Sequence, residues 1–246
     1  MRESVSRIRT LCGRNLKEIL RDPISLLFMI ALPLFMEILF YFIFRNLTSQ
    51  FEMKYLAPGI VVFSQAFLTL FTGLLIALDR GSSFLTRLYV SRARPFEFIL
   101  GYALAVVPVA AVQSVLFFLA GGILDPSIFC VRMIPAALLS VVTSLLFIAF
   151  GILFGSLCNE KAIGGVSSIV ITGQSVLSGM WFPTEGLSGG FLTVMNVLPF
   201  KNALLTVQYM LNGEGEVWKP LLITLASPVA IFVAAVLVFR SRMRAD

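Results

Sequence analysis

The chain has 246 residues, of which 58% are hydrophobic and 13% are charged, and its mean hydropathy is +0.94. This composition excludes a soluble domain and predicts an all-α integral membrane protein. Nineteen Lys and Arg against thirteen Asp and Glu give a net charge of +6, which in so apolar a chain indicates membrane-facing loops rather than nucleic-acid binding. The sequence has no histidine and only three widely separated cysteines, so Ser-His and Cys-His catalysis and the usual metal sites are excluded.

The first 23 residues have the pattern of an amphipathic helix. Apolar side chains recur within an arc of about 100°, and basic side chains lie on the opposite side. The apolar set is Val5, Ile8, Cys12, Leu16 and Ile19, and the basic set is Arg7, Arg14, Lys17 and Arg21. We expect an interfacial helix that lies flat on membrane lipid at the cytoplasmic leaflet. A basic topogenic tail would explain the charge equally well, but not the periodicity.

Six apolar runs are long enough to cross the bilayer, for which a helix needs roughly 20 residues. They predict spans at residues 24–44, 56–78, 98–124, 134–157, 163–180 and 220–239. With both termini in the cytoplasm, fourteen of the nineteen Lys and Arg fall on the cytoplasmic side, as the positive-inside rule requires. Residues 1–246 therefore form a single transmembrane domain at the cell membrane.

Residues 181–219 contain two short apolar helical patterns, one stopping at Pro199 and the other running from Ala203 to Leu211. Neither is long enough to span. We expect two helical pieces that lie at, or dip into, the outer leaflet, and the alternative is an ordinary extracellular loop.

Polar groups within spans are expensive, so they indicate functional or interhelical contacts. Glu37 is the only acid well inside a predicted span, and Gln65, Gln113 and Gln174 are the amides. Glu37 could face a cationic substrate or a water-filled path, or it could hydrogen-bond to a neighbouring helix.

The fifth predicted span has one side of small residues, spaced 3, 4, 3 and 4 apart. They are Gly165, Ser168, Thr172, Ser175 and Gly179. Such a seam lets another helix approach closely. The spacing favours neither a helix of the same chain nor one of a second copy.

The loop after the second span is predicted to form a short amphipathic helix. Helical spacing pairs Phe84 with Leu88 on one side, and places Arg80 and Arg87 on another. Apolar anchors with flanking arginines suit docking to a soluble protein. The alternative is a basic helix that rests on anionic lipid.

In this order, the features resemble the permease subunit of ABC-2 type transporters. That family has six spans, an amphipathic helix before the first span, and an acidic residue, Arg and Gly in the loop after the second. The matching elements here are Asp79-Arg80-Gly81, Arg87-Leu88 and Pro95 in that loop, then Phe182-Pro183 and Leu198-Pro199-Phe200 after the fifth span.

The resemblance implies partners: two separate cytoplasmic ATPase subunits, which hold the ATP and magnesium, and a second permease chain that is identical or homologous. It implies coupling to the ATPase through Asp79, Arg80, Gly81, Phe84, Arg87 and Leu88. It also implies a substrate path at the dimer interface, on which Glu37, Gln65 and Gln174 would lie. The sequence has no GxxxxGK(S/T) motif, so we expect neither enzyme activity nor a cofactor in this chain.

Export of a hydrophobic or amphiphilic small molecule, such as a drug, antibiotic or lipid-like compound, is the function that this resemblance favours. Export of a polysaccharide or lipid-linked glycan is the close alternative. A channel or membrane assembly factor without a motor would be a function of another class.

Overall fold

The computed structural model describes residues 2–82, 95–182, 184, 187 and 189–242, and these contain helices and no strand. The short 3-10 turns Ser49–Phe51 and Pro126–Ile128 accompany ten α-helices in this part of the chain. The helices are α1 (Arg2–Leu20), α2 (Pro23–Phe44), α3 (Met53–Ala66), α4 (Leu68–Gly81), α5 (Pro95–Leu124), α6 (Met133–Leu157), α7 (Glu160–Leu177), α8 (Gly190–Val197), α9 (Pro199–Asn212) and α10 (Trp218–Arg242).

Among the described residues, five helical stretches are long and apolar enough to cross a membrane. The bent pair formed by α8 and α9, with an angle of 68° between its helices, is a candidate for a sixth. The five are Pro23–Phe44, Met53–Gly81, Phe96–Leu124, Met133–Leu157 and Trp218–Val238. The predicted all-α membrane fold is therefore confirmed.

Helix α7 occupies the place of the predicted fifth span, although it is less apolar than the other five because it contains Glu160, Lys161 and Gln174. Just before α7, the carbonyl of Cys158 accepts a hydrogen bond from Arg80 at 3.1 Å. Just after α7, the carbonyl of Gly179 accepts one from Gln50 at 2.9 Å. Gln50 precedes the span Met53–Gly81 and Arg80 lies in its last turn. Helix α7 therefore extends alongside that span in the opposite direction.

The span formed by α3 and α4 lies at the centre of the bundle. In its apolar stretch of 18 residues, 78% of the residues are buried. Its two halves meet at Phe67, whose backbone N–H bonds to Ser64. Close packing of α4 on α6 depends on Gly151 and Gly155. A Cβ at Gly151 would lie 2.7 Å from the carbonyl oxygen of Thr69, and one at Gly155 would lie 2.7 Å from that of Gly73.

Helix α1 packs across the start of α5, where Gly101 leaves room for Leu11. After α1 ends, Asp22 caps the first span by accepting the backbone N–H of Ser25 at 3.1 Å, and Pro23 takes the first helical position. We call this side of the bundle, where α4 ends and α5 begins, the α1 end. The opposite side, where α3 begins and α7 ends, we call the re-entrant end after the bent pair α8–α9, which is a broken span or a re-entrant loop.

The pair α8 and α9 enters the bundle at the re-entrant end. At the start of α9, Phe200 stacks on Phe150 of α6 at a ring distance of 6.1 Å and covers Gly173 of α7. At the far end of α9, Asn212 bonds to the carbonyl of Lys54 at the beginning of the second span. Both pieces predicted within residues 181–219 are helical. The second begins at Pro199, because proline is well suited to the first position of a helix.

Candidate coupling site

Two buried carboxylates tie α1 to the helices on either side of residues 83–94. The first is Asp79 in the last turn of α4. It accepts hydrogen bonds from Arg14 to both oxygens, at 2.7 and 2.5 Å, and from the Tyr102 hydroxyl at 2.6 Å. Asp79 is 3% exposed, so the guanidinium supplies the counter-charge that a buried acid requires.

The second carboxylate is Glu97 in the first turn of α5, which is 0% exposed. Arg7 donates to its two oxygens at 3.0 and 3.1 Å, and the hydroxyl of Ser4 donates to one of them. The hydrogen bond to Glu97 raises the pKa of Arg7, and the one to Asp79 raises the pKa of Arg14. Both arginines are therefore charged at any physiological pH.

Arg14 also bonds to Glu18 at 2.9 Å on its own helix, so one guanidinium serves two acids. Burial raises the pKa of Glu18, and the nearby Arg14 opposes that shift. Removing an arginine from such a cluster would leave a buried acid unpaired, which is strongly destabilising. Helix α1 and the two flanking helix ends are thereby held together as one unit.

The predicted coupling residues divide into two groups. Phe84, Arg87 and Leu88 lie outside the described residues. Arg80 donates to the carbonyls of Gly155 and Cys158 at 2.9 and 3.1 Å, which places a cation at the carboxyl end of α6. Gly81 ends α4 with open space around it, so no neighbour in the described chain requires a glycine there.

Glu97 and Tyr102 were not predicted as site residues, and the contacts of Arg7 and Arg14 with buried acids were not predicted either. The helical pattern assigned Arg7 and Arg14 to the face opposite the apolar side chains, but both reach acids of the bundle. The available signal was that Asp79 and Glu97 lie at the edges of the second and third predicted spans, where an acid requires a polar or cationic partner.

Gln65 belongs to a hydrogen-bonded cluster in the centre of the bundle. Its amide nitrogen donates to Ser114 at 3.1 Å and its oxygen accepts from Thr143 at 3.4 Å, while Ser140 donates to Ser114 at 2.7 Å. All four side chains are fully buried. Nearby, Gln113 donates to the carbonyls of Met29 and Ser64. These polar groups connect the first four spans.

Glu37 and Gln174 are both fully buried, and neither side chain has a hydrogen-bond partner in the described part of the chain. The Glu37 carboxyl lies between the first three spans, where an added Cβ on Gly121 would come within 3.1 Å of its oxygen. An unpaired charge at such a place is costly, so a proton or a cationic group must compensate it. None of Glu37, Gln65 and Gln174 bonds to another.

The small residues of α7 do not all serve packing within the chain. Gly165, Ser168 and Thr172 are exposed. Ser175 is half-buried and accepts a hydrogen bond from Trp181 at 2.6 Å, while Gly179 is buried with φ of +74°, which favours glycine. The first three residues therefore face away from the described bundle, and the last two shape the turn that follows α7.

Aromatic side chains close the re-entrant end near the first span. Trp181 lies edge-on to Phe40 at 4.7 Å and to Phe63 at 5.9 Å, and Phe44 lies 5.0 Å from Phe51. Edge-on aromatic pairs add attraction beyond the area they bury. The turn after α7 is thereby tied to the first two spans.

Residues 6–211 match the family model described as ABC-2 type transporter. The chain belongs to the ABC-2 type transporter family. The matched region includes most of α1, both buried carboxylates and the α8–α9 pair. The chain is therefore the membrane permease of an ABC-2 transporter and a multi-pass membrane protein. ABC-2 membrane domains are typically non-catalytic, carry no cofactor and work with a separate ATPase. No curated protein matches this ABC-2 permease.

Proposed function

We propose that this permease exports a hydrophobic or amphiphilic small molecule, and that its ATPase docks at the α1 end. The docking assignment is carried by one observation: α1 is ion-paired to the helices on both sides of residues 83–94, through Asp79 and Glu97. A force applied to that segment would reach the central span and α1 together. Such a connection is suited to a subunit driven from outside the membrane.

The α1 end is assigned to the cytoplasm, with both termini on that side. The support is the distribution of charge, because fourteen of the nineteen Lys and Arg belong to segments that this orientation places in the cytoplasm. The ATPase subunits hydrolyse ATP with magnesium. When ATP binding brings the two ATPase subunits together, the spans of the permease move.

A second permease copy or a homologue completes the transporter. The exposed part of the small-residue seam, at Gly165, Ser168 and Thr172, supports a contact with that second chain. We place the substrate path between the two chains. Glu37 and Gln174 are the candidates for cargo contact because their polar atoms lack partners in the described chain. Both are fully buried within one chain, so contact with cargo requires the spans to move apart. The hydrogen bonds of Gln65 favour a structural role.

A hydrophobic or amphiphilic cargo is proposed in preference to a glycan because the largest polar cluster of the described spans bonds to itself. Gln65, Ser114, Ser140 and Thr143 bond to one another inside the chain. A glycan path requires many hydrogen-bonding groups, since a sugar hydroxyl without a partner keeps its desolvation penalty.

The purified permease and ATPase, reconstituted in liposomes, test the proposal. Lipophilic amines should stimulate ATP hydrolysis, and lipid-linked saccharides should not. Stimulation by the saccharide alone would establish the glycan alternative instead. If purification in mild detergent recovers no ATPase with the permease, the result would favour a channel or a membrane assembly factor that works without an ATPase.

A further inference from the structure

An apolar groove of about 190 Å³ opens at the α1 end, between α1, α2 and α4. Leu26 lies on one wall, and Phe71, Leu74, Leu75 and Leu78 line the wall formed by α4. Leu78 is 41% exposed, so the groove is open on the side of the surrounding lipid.

The groove exists because the first two spans diverge. Helix α2 packs against α3, but it makes few contacts with α4, the other half of the second span. At the apex between them, Met29 is 1% exposed, and its carbonyl accepts a hydrogen bond from Gln113. Met29 therefore closes the groove on the side of the bundle.

The rim of the groove is acidic. Glu18 and Asp22 are its charged lining residues in the described chain. Hydrogen bonds from Ser25 lower the pKa of Asp22, which is therefore ionised at neutral pH. Glu18 shares Arg14 with Asp79, so that guanidinium does not neutralise both acids.

Lys17 and Arg21 line the neighbouring face of α1, on which Glu18 also lies. These two basic residues are not part of the groove lining. An apolar slot whose two charged lining residues are both acidic is complementary to a molecule with one cationic end and one apolar end.

We propose that this groove is the entry site for a single-chain amphiphile with a cationic ammonium head. The apolar chain lies between Leu26 and the α4 wall, and the head lies between Glu18 and Asp22. The inference rests on the proposed function and deepens it, because it names the substrate class and places its entry in the cytoplasmic leaflet. Binding here precedes the movement of the spans and requires no nucleotide.

The full chain in phosphatidylcholine nanodiscs, without ATPase or ATP, provides the test. A diazirine-bearing dodecyltrimethylammonium probe is photo-crosslinked, and the labelled peptides are mapped by mass spectrometry. We expect labels on α2 and α4 around the groove. Dodecyltrimethylammonium should displace the probe at concentrations about tenfold lower than dodecyl sulfate, because the head groups differ in charge.

Two matched pairs of variants identify the contacts. Combining Glu18→Gln with Asp22→Asn should weaken binding by about tenfold, and asparagine retains the helix cap. Glu160→Gln, a change at an exposed acid outside the groove, should leave binding unchanged. Leu75→Trp should fill the slot and abolish labelling, whereas Leu104→Trp, at a residue 46% exposed on α5, should not.

Equal displacement by dodecyl sulfate would overturn the proposal, because the groove would then accept any acyl chain, including that of a lipid. Unchanged binding in the double acid variant would overturn it as well. Failure of ATPase co-purification would count against the proposed function but would not alter this nucleotide-free binding. The two inferences therefore fail on separate measurements.

Discussion

Arg14 is the side chain through which α1 contacts the end of the second span. It bonds to Asp79 and Glu18, and the Tyr102 hydroxyl completes the environment of Asp79. Arg14→Ala should lower the free energy of unfolding by about 2 to 3 kcal/mol, because Asp79 would be left buried without a counter-charge. Thermal unfolding of the detergent-solubilised permease measures this effect.

Two controls separate the lost ion pair from a general effect of truncating arginine. Arg9→Ala, at an exposed position of the same helix, should change stability by less than about 0.5 kcal/mol. Adding Asp79→Asn to Arg14→Ala should restore part of the loss by removing the unpaired charge. If the single and double variants are equally unstable, the ion pair is not what holds α1 in place.

Glu37 carries a different prediction, because its carboxyl has no partner in the described chain. Glu37→Gln keeps the size of the side chain and removes the charge. Export of a lipophilic cation should fall by about tenfold, while export of a neutral compound of similar size stays unchanged. Equal loss for both compounds would mean that Glu37 supports packing and does not compensate cargo charge.

At the scale of elements, the segment between α4 and α5 is the proposed contact with the ATPase. Phe84→Asp combined with Leu88→Asp should abolish co-purification of the ATPase while membrane insertion persists, because apolar anchors are replaced by charge. Val131→Asp is the matched control, since Val131 is 88% exposed between α5 and α6. Retention of the ATPase by the double variant would move its docking site elsewhere.

Helix α7 carries the second prediction at this scale. Leucine at Ser168 and Thr172 should weaken association with the second permease chain by about tenfold or more, since bulky side chains prevent close approach of helices. Ile169→Leu, at a residue 71% exposed on the same helix, should have no effect. Chemical cross-linking in proteoliposomes measures both. Unchanged association would show that the exposed small residues face lipid.

The elements also show how far sequence patterns reach. Long apolar runs predicted spanning helices. In lipid the backbone groups of a single segment are satisfied only within a helix, and such a helix needs about 20 apolar residues to cross. The break at Phe67 was not predicted, and no proline or glycine marks it. The first short helix ends before Pro199, as predicted, but the extent of α9 was underestimated, since that helix begins at Pro199 and not at Ala203.

At the scale of the whole molecule, polar residues connect distant parts of the bundle. Two ion pairs bind α1 to the second and third spans, hydrogen bonds around Gln65 join the second, third and fourth, and Trp181 packs against the first two at the opposite end. Such links make rigid-body movement of packed spans a more natural response to the ATPase than local distortion.

The sequence by itself determined the membrane class, the helical content and the family, because these follow from composition, run length and local motifs. Tertiary structure decided which polar groups meet: Arg14 with Asp79, Arg7 with Glu97, and Gln65 with Ser114, while Glu37 has no partner among the described residues. The physical reason is the distance along the chain between the residues that interact. Hydropathy and helical spacing are properties of neighbouring residues, whereas a hydrogen bond across 65 or 90 positions depends on how whole helices pack.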